Sequence, residues 1–209
     1  MATRLFFRSL TAGAAGEPQN FPTAGDKSTA LPVGTDGGDF NESQEMILVN
    51  ATSGAGTALT YSSAAVSTQQ SAVIARFSSS QLAAQTISAN TWTIAYLADE
   101  SNAAANAFLS PVVYVYRPST NAVVGFIRDS ATTIGVEFAN TLQTVTFSGS
   151  AVTAQAGDFL VLEAWNVATQ GMGTSYTITF NTSGTTSPTY LETPQNLIFL
   201  DTEYGYIID

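Results

Sequence analysis

Histidine and cysteine are absent from this 209-residue chain, and lysine occurs once, as Lys27. Histidine is the usual side chain for proton transfer near neutral pH. Cysteine is the readiest nucleophile and soft metal ligand. Their absence excludes the common hydrolytic triads, imidazole- or thiolate-based zinc centres, and disulfides. Charge is also scarce: 11% of residues are Asp, Glu, Lys or Arg, where about 25% is ordinary. Basic charge is scarcest, with 6 Lys and Arg against 16 Asp and Glu and a formal net charge of −10. Neutralising phosphates or anionic lipid needs basic surface, so neither nucleic acid nor membrane is an expected partner. No segment approaches the ~18 apolar residues of a membrane-spanning helix. The opening MATRLFFRS holds a three-residue apolar run, short of the roughly 7–15 of a secretory leader, so none is expected there. The N-x-S/T triplets at Asn41, Asn50 and Asn181 are read as chance matches in a Thr-rich chain.

What is present suits a sheet. Apolar residues make up 44% of the chain, normal for a globular protein. Ser, Thr, Asn and Gln take the place of charge. Long solvated helices favour Glu and Lys on their outer faces, so the composition reads as all-β.

Three zones follow. Residues 1–45 contain Pro18, Pro22 and Pro32 among many glycines and show no apolar period beyond LFF. They are expected to form an extended arm, ordered only against something else. Residues 46–201 carry short alternating runs and are expected to form the folded domain. Residues 202–209 read as an acidic tail.

Within the domain, Thr91–Ala98 places Trp92, Ile94 and Tyr96 opposite Thr91, Thr93 and Ala95. Leu142–Ser148 turns Val145 and Phe147 inward, and Thr174–Asn181 does the same with Tyr176, Ile178 and Phe180. Ser71–Ser79 is read with Val73, Ala75 and Phe77 on one face and Ala72, Ile74 and Arg76 on the other. Pro111–Arg117 and Ala122–Arg128 form a hairpin around a Pro-Ser-Thr-Asn turn. Phe159–Val167 is apolar on both faces, as in a strand covered on both sides. Met46–Val49 and Ala58–Tyr61 are weaker strand candidates, and Asn196–Leu200 could close the set. Ala98–Ala107 is read as a loop with one helical turn. Eight or more strands with intervening turns imply an antiparallel β-sandwich or barrel.

Without histidine, carboxylates are the remaining acid–base groups. Asp99 and Glu100 are adjacent, and Glu137 and Glu163 each lie in an apolar run taken for a strand. Two carboxylates about 5–9 Å apart would resemble a glycosidase site. The competing expectation is that Glu163 points outward or pairs with Arg76, Arg117 or Arg128. Asp36, Asp39, Asn41 and Glu42 offer oxygen ligands suited to calcium, but their spacing misses the known loop pattern. They are read as a solvated acidic loop. Trp92, Trp165, Tyr114 and Tyr116 could stack on sugars, yet their alternation favours the core. No catalytic residue, cofactor or metal is expected. The candidate partner-binding residues are Arg4, Phe6, Phe7 and Arg8 in the arm and Tyr204 and Tyr206 in the tail.

The strings ARFSSSQLAAQTISANTWTIAYLADESNAAANAFLSPVVYVYRPSTNAVVGFIRDS (75–130), VTFSGSAVTAQAGDFLVLEAWNVATQGMGTSYTITF (145–180) and TPQNLIFLD (193–201) resemble a family of tailed-bacteriophage virion proteins. The resemblance implies a jelly-roll-like sandwich without catalysis, located in the virion. It implies a capsid decoration or cement protein that binds the major capsid protein, assembled as a homo-oligomer and most simply a trimer. A neck, tail or fibre component is the alternative, and a carbohydrate-binding module in host recognition is another.

Overall fold

The structure, a computed structural model, describes residues 2–8, 29–31, 44–48, 56–63, 70–168 and 174–200. The strands begin with β1 (Arg4–Arg8), β2 (Gln44–Ile47), β3 (Ala58–Ser62), β4 (Gln70–Gln81) and β5 (Gln85–Ile87). β6 (Asn90–Glu100) leads through a single 3-10 turn (Ala103–Ala105) into β7 (Ala107–Arg117) and β8 (Ala122–Arg128). β9 (Gln143–Gly149), β10 (Val152–Ala154), β11 (Phe159–Ala168), β12 (Thr177–Asn181) and β13 (Tyr190–Glu192) complete the set. The protein is an all-β sandwich of antiparallel sheets packed against each other.

Hydrogen-bonded neighbours run β3-β12-β6-β13-β1-β2-β4-β11-β7-β8, with β9 also paired to β6 and a small β10-β5 pair beside them. β1 and β2 therefore join two groups of strands. One is built on β6 and the other on β11. Among the described strands, every pairing is antiparallel except β2 with β4. The two groups close on one core, where Phe7 stacks on Phe77 at 4.5 Å and Phe180 lies 5.9 Å from Phe77 and 6.5 Å from Tyr96.

The alternation read in β6, β9 and β12 is the alternation observed. Trp92, Tyr96, Phe147, Tyr176, Ile178 and Phe180 share this core, with Val145 packed against it. All ten residues of β11 are buried. Leu160, Leu162 and Ala164 enter the main core, while Phe159, Val161 and Trp165 enter a second one on the opposite face. The β7–β8 hairpin turns at residues 118–121, with Asn121 in the left-handed conformation (φ 50°). One helical turn follows β6, where the Asn102 side chain caps the amide of Ala104. Asn196–Leu200 forms no strand, only an isolated bridge from Phe199 to Leu82.

Two expectations need correction. The faces of β4 do not keep strict period 2. Ala164 faces Ala75 while Trp165 faces Val73, so Ile74 is the additional residue of a β-bulge. Ala72, Ile74, Ala75 and Phe77 consequently share the main core, and Val73 lies in the second. The second correction concerns the arm over residues 1–45. Its first residues form β1, hydrogen-bonded to β13 on one side and β2 on the other. Leu5 and Phe7 are each 1% exposed. Farther along, Leu31 is buried in the second core, and Thr29 donates to Asp129 Oδ2 from its amide (2.9 Å) and hydroxyl (2.5 Å). The LFF run is short, but it alternates, and its apolar side chains gain more by joining the chain's own core than by staying solvated. β2 also begins at Gln44, ahead of the expected domain boundary at 46.

Candidate functional site

Glu163 lies in the middle of β11 with no exposed surface. The strand's alternation turns it toward the second core, between Arg76 on β4 and Val112 on β7. Arg76 donates to Glu163 Oε1 from Nη2 at 3.0 Å and from Nε at 3.2 Å. The Tyr114 hydroxyl donates to the same oxygen at 3.0 Å, and the Trp165 indole N–H donates to Oε2 at 3.0 Å. Both carboxylate oxygens are thus occupied by the chain's own donors. Of the three arginines expected to compete for Glu163, Arg76 is its partner. Arg117 instead grips Asp158 through two bonds of 2.9 and 2.8 Å, which raises the arginine's pKa further. Arg128 donates to Ser110 Oγ at 3.3 Å and to the carbonyls of Pro111 and Thr132. Burial lowers its pKa to about 10, against the opposing pull of Asp129.

Glu137 does not lie in a strand. It belongs to the connection between β8 and β9, and it meets Glu100, not Glu163. Glu100 ends β6 and is 8% exposed. Its Oε2 accepts the Ala107 amide at 2.8 Å. Its Oε1 is buried with no donor, and so is Oε1 of Glu137. Burial raises the Glu100 pKa to about 8, helped by the neighbouring Glu137 carboxyl and by the charge of Asp99, and opposed by the Ala107 amide. The sequence marks both acids as candidates but carries no local signal of their contact, which spans two separate elements.

The remaining candidates fall into three groups. Arg4, Phe6 and Arg8 point away from the main core, whereas Phe7 points into it. Arg4 binds Glu192 (Nε to Oε2, 2.6 Å) and lies 4.3 Å over the Tyr190 ring, against which Phe6 packs edge-on at 5.7 Å. Phe7 is therefore buried in the chain's own core and not displayed as expected: strand alternation places it opposite Arg4, Phe6 and Arg8. Tyr204, Tyr206 and the acidic stretch of Asp36, Asp39, Asn41 and Glu42 lie outside the described residues. Trp92, Trp165 and Tyr114 are 0% exposed and Tyr116 is 2% exposed, so none of the four presents a ring to a sugar. Among the described residues, no group of three or more acids is placed to hold a metal ion. No protein-family model and no curated protein sequence matches the chain.

Proposed function

We propose that the chain is a structural protein of a tailed-phage virion, with a jelly-roll-like sandwich that decorates or cements the capsid. The observation that carries this reading is the run of strand and turn residues in 75–130, 145–180 and 193–201 that resembles such proteins. The treatment of charge supports it. Glu163, Asp158 and Glu192 are each tied to an arginine of the same chain, an arrangement that builds a framework and leaves those carboxylates few free lone pairs for acid–base work.

The partner is the major capsid protein, and the protein acts as a homo-oligomer, most simply a trimer. A subunit that binds only the assembled lattice stabilises it by mass action, and many copies multiply modest contacts into avidity. Strand addition through Arg4–Arg8 is not the means of attachment, because both edges of β1 are already paired. β3 and β8 end the described strand path and carry the edges where a neighbour could add.

The test is cryo-electron microscopy of the virion with a count of copies, beside light scattering of the purified protein. Hundreds of copies on the shell, and capsids that rupture at lower temperature without the protein, are expected. A few copies at a single vertex would transfer the protein to the neck or tail.

A further inference from the structure

The connection between β8 and β9 is a strap across the end of the sandwich. It leaves β8, in the group of strands around β11, and enters β9, which pairs with β6 in the other group. On the way it bonds to both. The Ile134 amide donates to the Leu109 carbonyl (2.8 Å) and the Phe138 amide to the Ala107 carbonyl (3.0 Å), both on β7. The Asn140 amide then donates to the Ala98 carbonyl on β6 (2.9 Å). Phe138 is buried edge-on against Tyr96 at 6.1 Å. Gln143 closes the strap, accepting the Val136 amide at 2.9 Å and the Tyr96 hydroxyl at 2.6 Å.

Glu137 lies in the middle of this strap and meets Glu100 where β6 ends. Two ionised carboxylates in contact, each with a buried oxygen lacking any donor, repel each other strongly. One proton placed between them removes the repulsion and gives both orphan oxygens a partner. We propose that a proton shared by Glu100 and Glu137 latches the 131–142 strap across the two groups of strands, and that its loss at alkaline pH loosens the strap.

Among the described residues, the surroundings offer no substitute for that proton. The charged groups acting on Glu100 are Glu137 on the strap and Asp99 on its own strand, both acids. From β7 it receives the Ala107 amide alone. β12, which pairs with this end of β6, reads Thr-Ile-Thr-Phe-Asn and has no titratable side chain. The direction follows from linkage. A carboxyl raised from 4.5 to about 8 in the fold holds its proton at pH values where the unfolded chain has released it. Its contribution therefore favours the fold fully below the ordinary value, declines as pH rises between the two values, and levels off above about 8.

The inference concerns the isolated chain and does not depend on a virion role. Carbon-13 NMR of glutamate-labelled protein should show one side-chain carboxyl titrating near pH 8 and disappearing in Glu100→Gln. Amide exchange at Ile134, Phe138 and Asn140, corrected for intrinsic base catalysis, should accelerate at least tenfold between pH 6 and 9. Glu100→Gln keeps a neutral donor beside Glu137 and should abolish that acceleration. Glu137→Gln supplies a donor to ionised Glu100 and should move the transition to lower pH. A Glu100 that titrates near 4.5, or equal acceleration in wild type and Glu100→Gln, would overturn the proposal. Protection at pH 9 that calcium restores and EDTA removes would also overturn it, in favour of a bridging cation.

Discussion

Replacing Phe7 with alanine separates a strand built into the sandwich from an arm that merely touches it. Phe7 is 1% exposed, stacked on Phe77 at 4.5 Å and 6.1 Å from Phe180. Truncating a buried phenylalanine costs about 3–5 kcal/mol, part of it the cavity left behind. Aromatic pairs contribute roughly 0.5–1.5 kcal/mol beyond buried area, and Phe7 loses two such neighbours at the seam between the strand groups. The expected loss is thus at the upper end, about 4–5 kcal/mol. For a domain of this size that corresponds to a fall in melting temperature of roughly 8–20 °C. Phe6 is the internal control. It sits one residue away on the opposite face, half-buried and edge-on to Tyr190, so Phe6→Ala should cost about 1 kcal/mol. Urea denaturation followed by tryptophan fluorescence suits the measurement, because Trp92 and Trp165 are both fully buried. Removal of residues 1–8 should go further, opening the paired edges of β13 and β2 together and abolishing a cooperative transition. Equal losses for Phe6→Ala and Phe7→Ala, or a loss under about 1 kcal/mol at Phe7, would refute the reasoning.

Two further outcomes follow from the interior. Arg76→Met should destabilise by about 3–5 kcal/mol because it removes the Arg76 guanidinium from the buried Glu163 carboxylate, while the double variant Arg76→Met, Glu163→Gln should recover most of that loss in a double-mutant cycle. Gly135 and Gly157 both have positive φ, 75° and 91°, yet their surroundings differ. A Cβ at Gly157 meets nothing within 4 Å, whereas one at Gly135 collides with Tyr96 Oη and Gln143 Oε1. Gly157→Ala should cost about 1–2 kcal/mol of backbone strain alone, and Gly135→Ala clearly more, with the Tyr96–Gln143 bond broken. Similar melting temperatures for the two variants would count against this account of the strap.

Much of the sandwich is legible in the sequence because side-chain alternation is a local property. Thr91–Ala98 and Thr174–Asn181 declare their inward faces residue by residue. The unbroken apolar run of Phe159–Val167 declares a strand covered twice. What escaped is non-local. Nothing near Arg4–Arg8 announces that Glu192 and Ile47 lie on either side of that strand. The bulge at Ile74 inverts the parity of β4 without altering its composition, so a period-2 reading misassigns Val73. Glu163 with Arg76 was within reach, since a carboxylate inside an apolar run needs a cation and few arginines exist. The contact of Glu100 with Glu137 was not. It depends on a strap whose path is set by backbone bonds to β6 and β7, and Glu137 sits in a run that passes for a strand.

The place of β1 in the sheet sets a condition on how the chain can fold. Arg4 and Glu192 stand opposite each other although 188 residues separate them. A ribosome releases the first strand of the seam early and the last late, so β1 has no β13 to pair with through most of synthesis. The remaining pairings of the β6 and β11 groups, themselves long-range, can form before β13 is made, but their shared seam must await Tyr190–Glu192. Joining ends so far apart carries a loop-closure cost, and folds dominated by such pairings form slowly. Until that closure the edges of β1 and β13 remain unpaired strands open to other chains. Closing the seam is thus both the late step of folding and the point at which a sticky intermediate becomes a finished subunit.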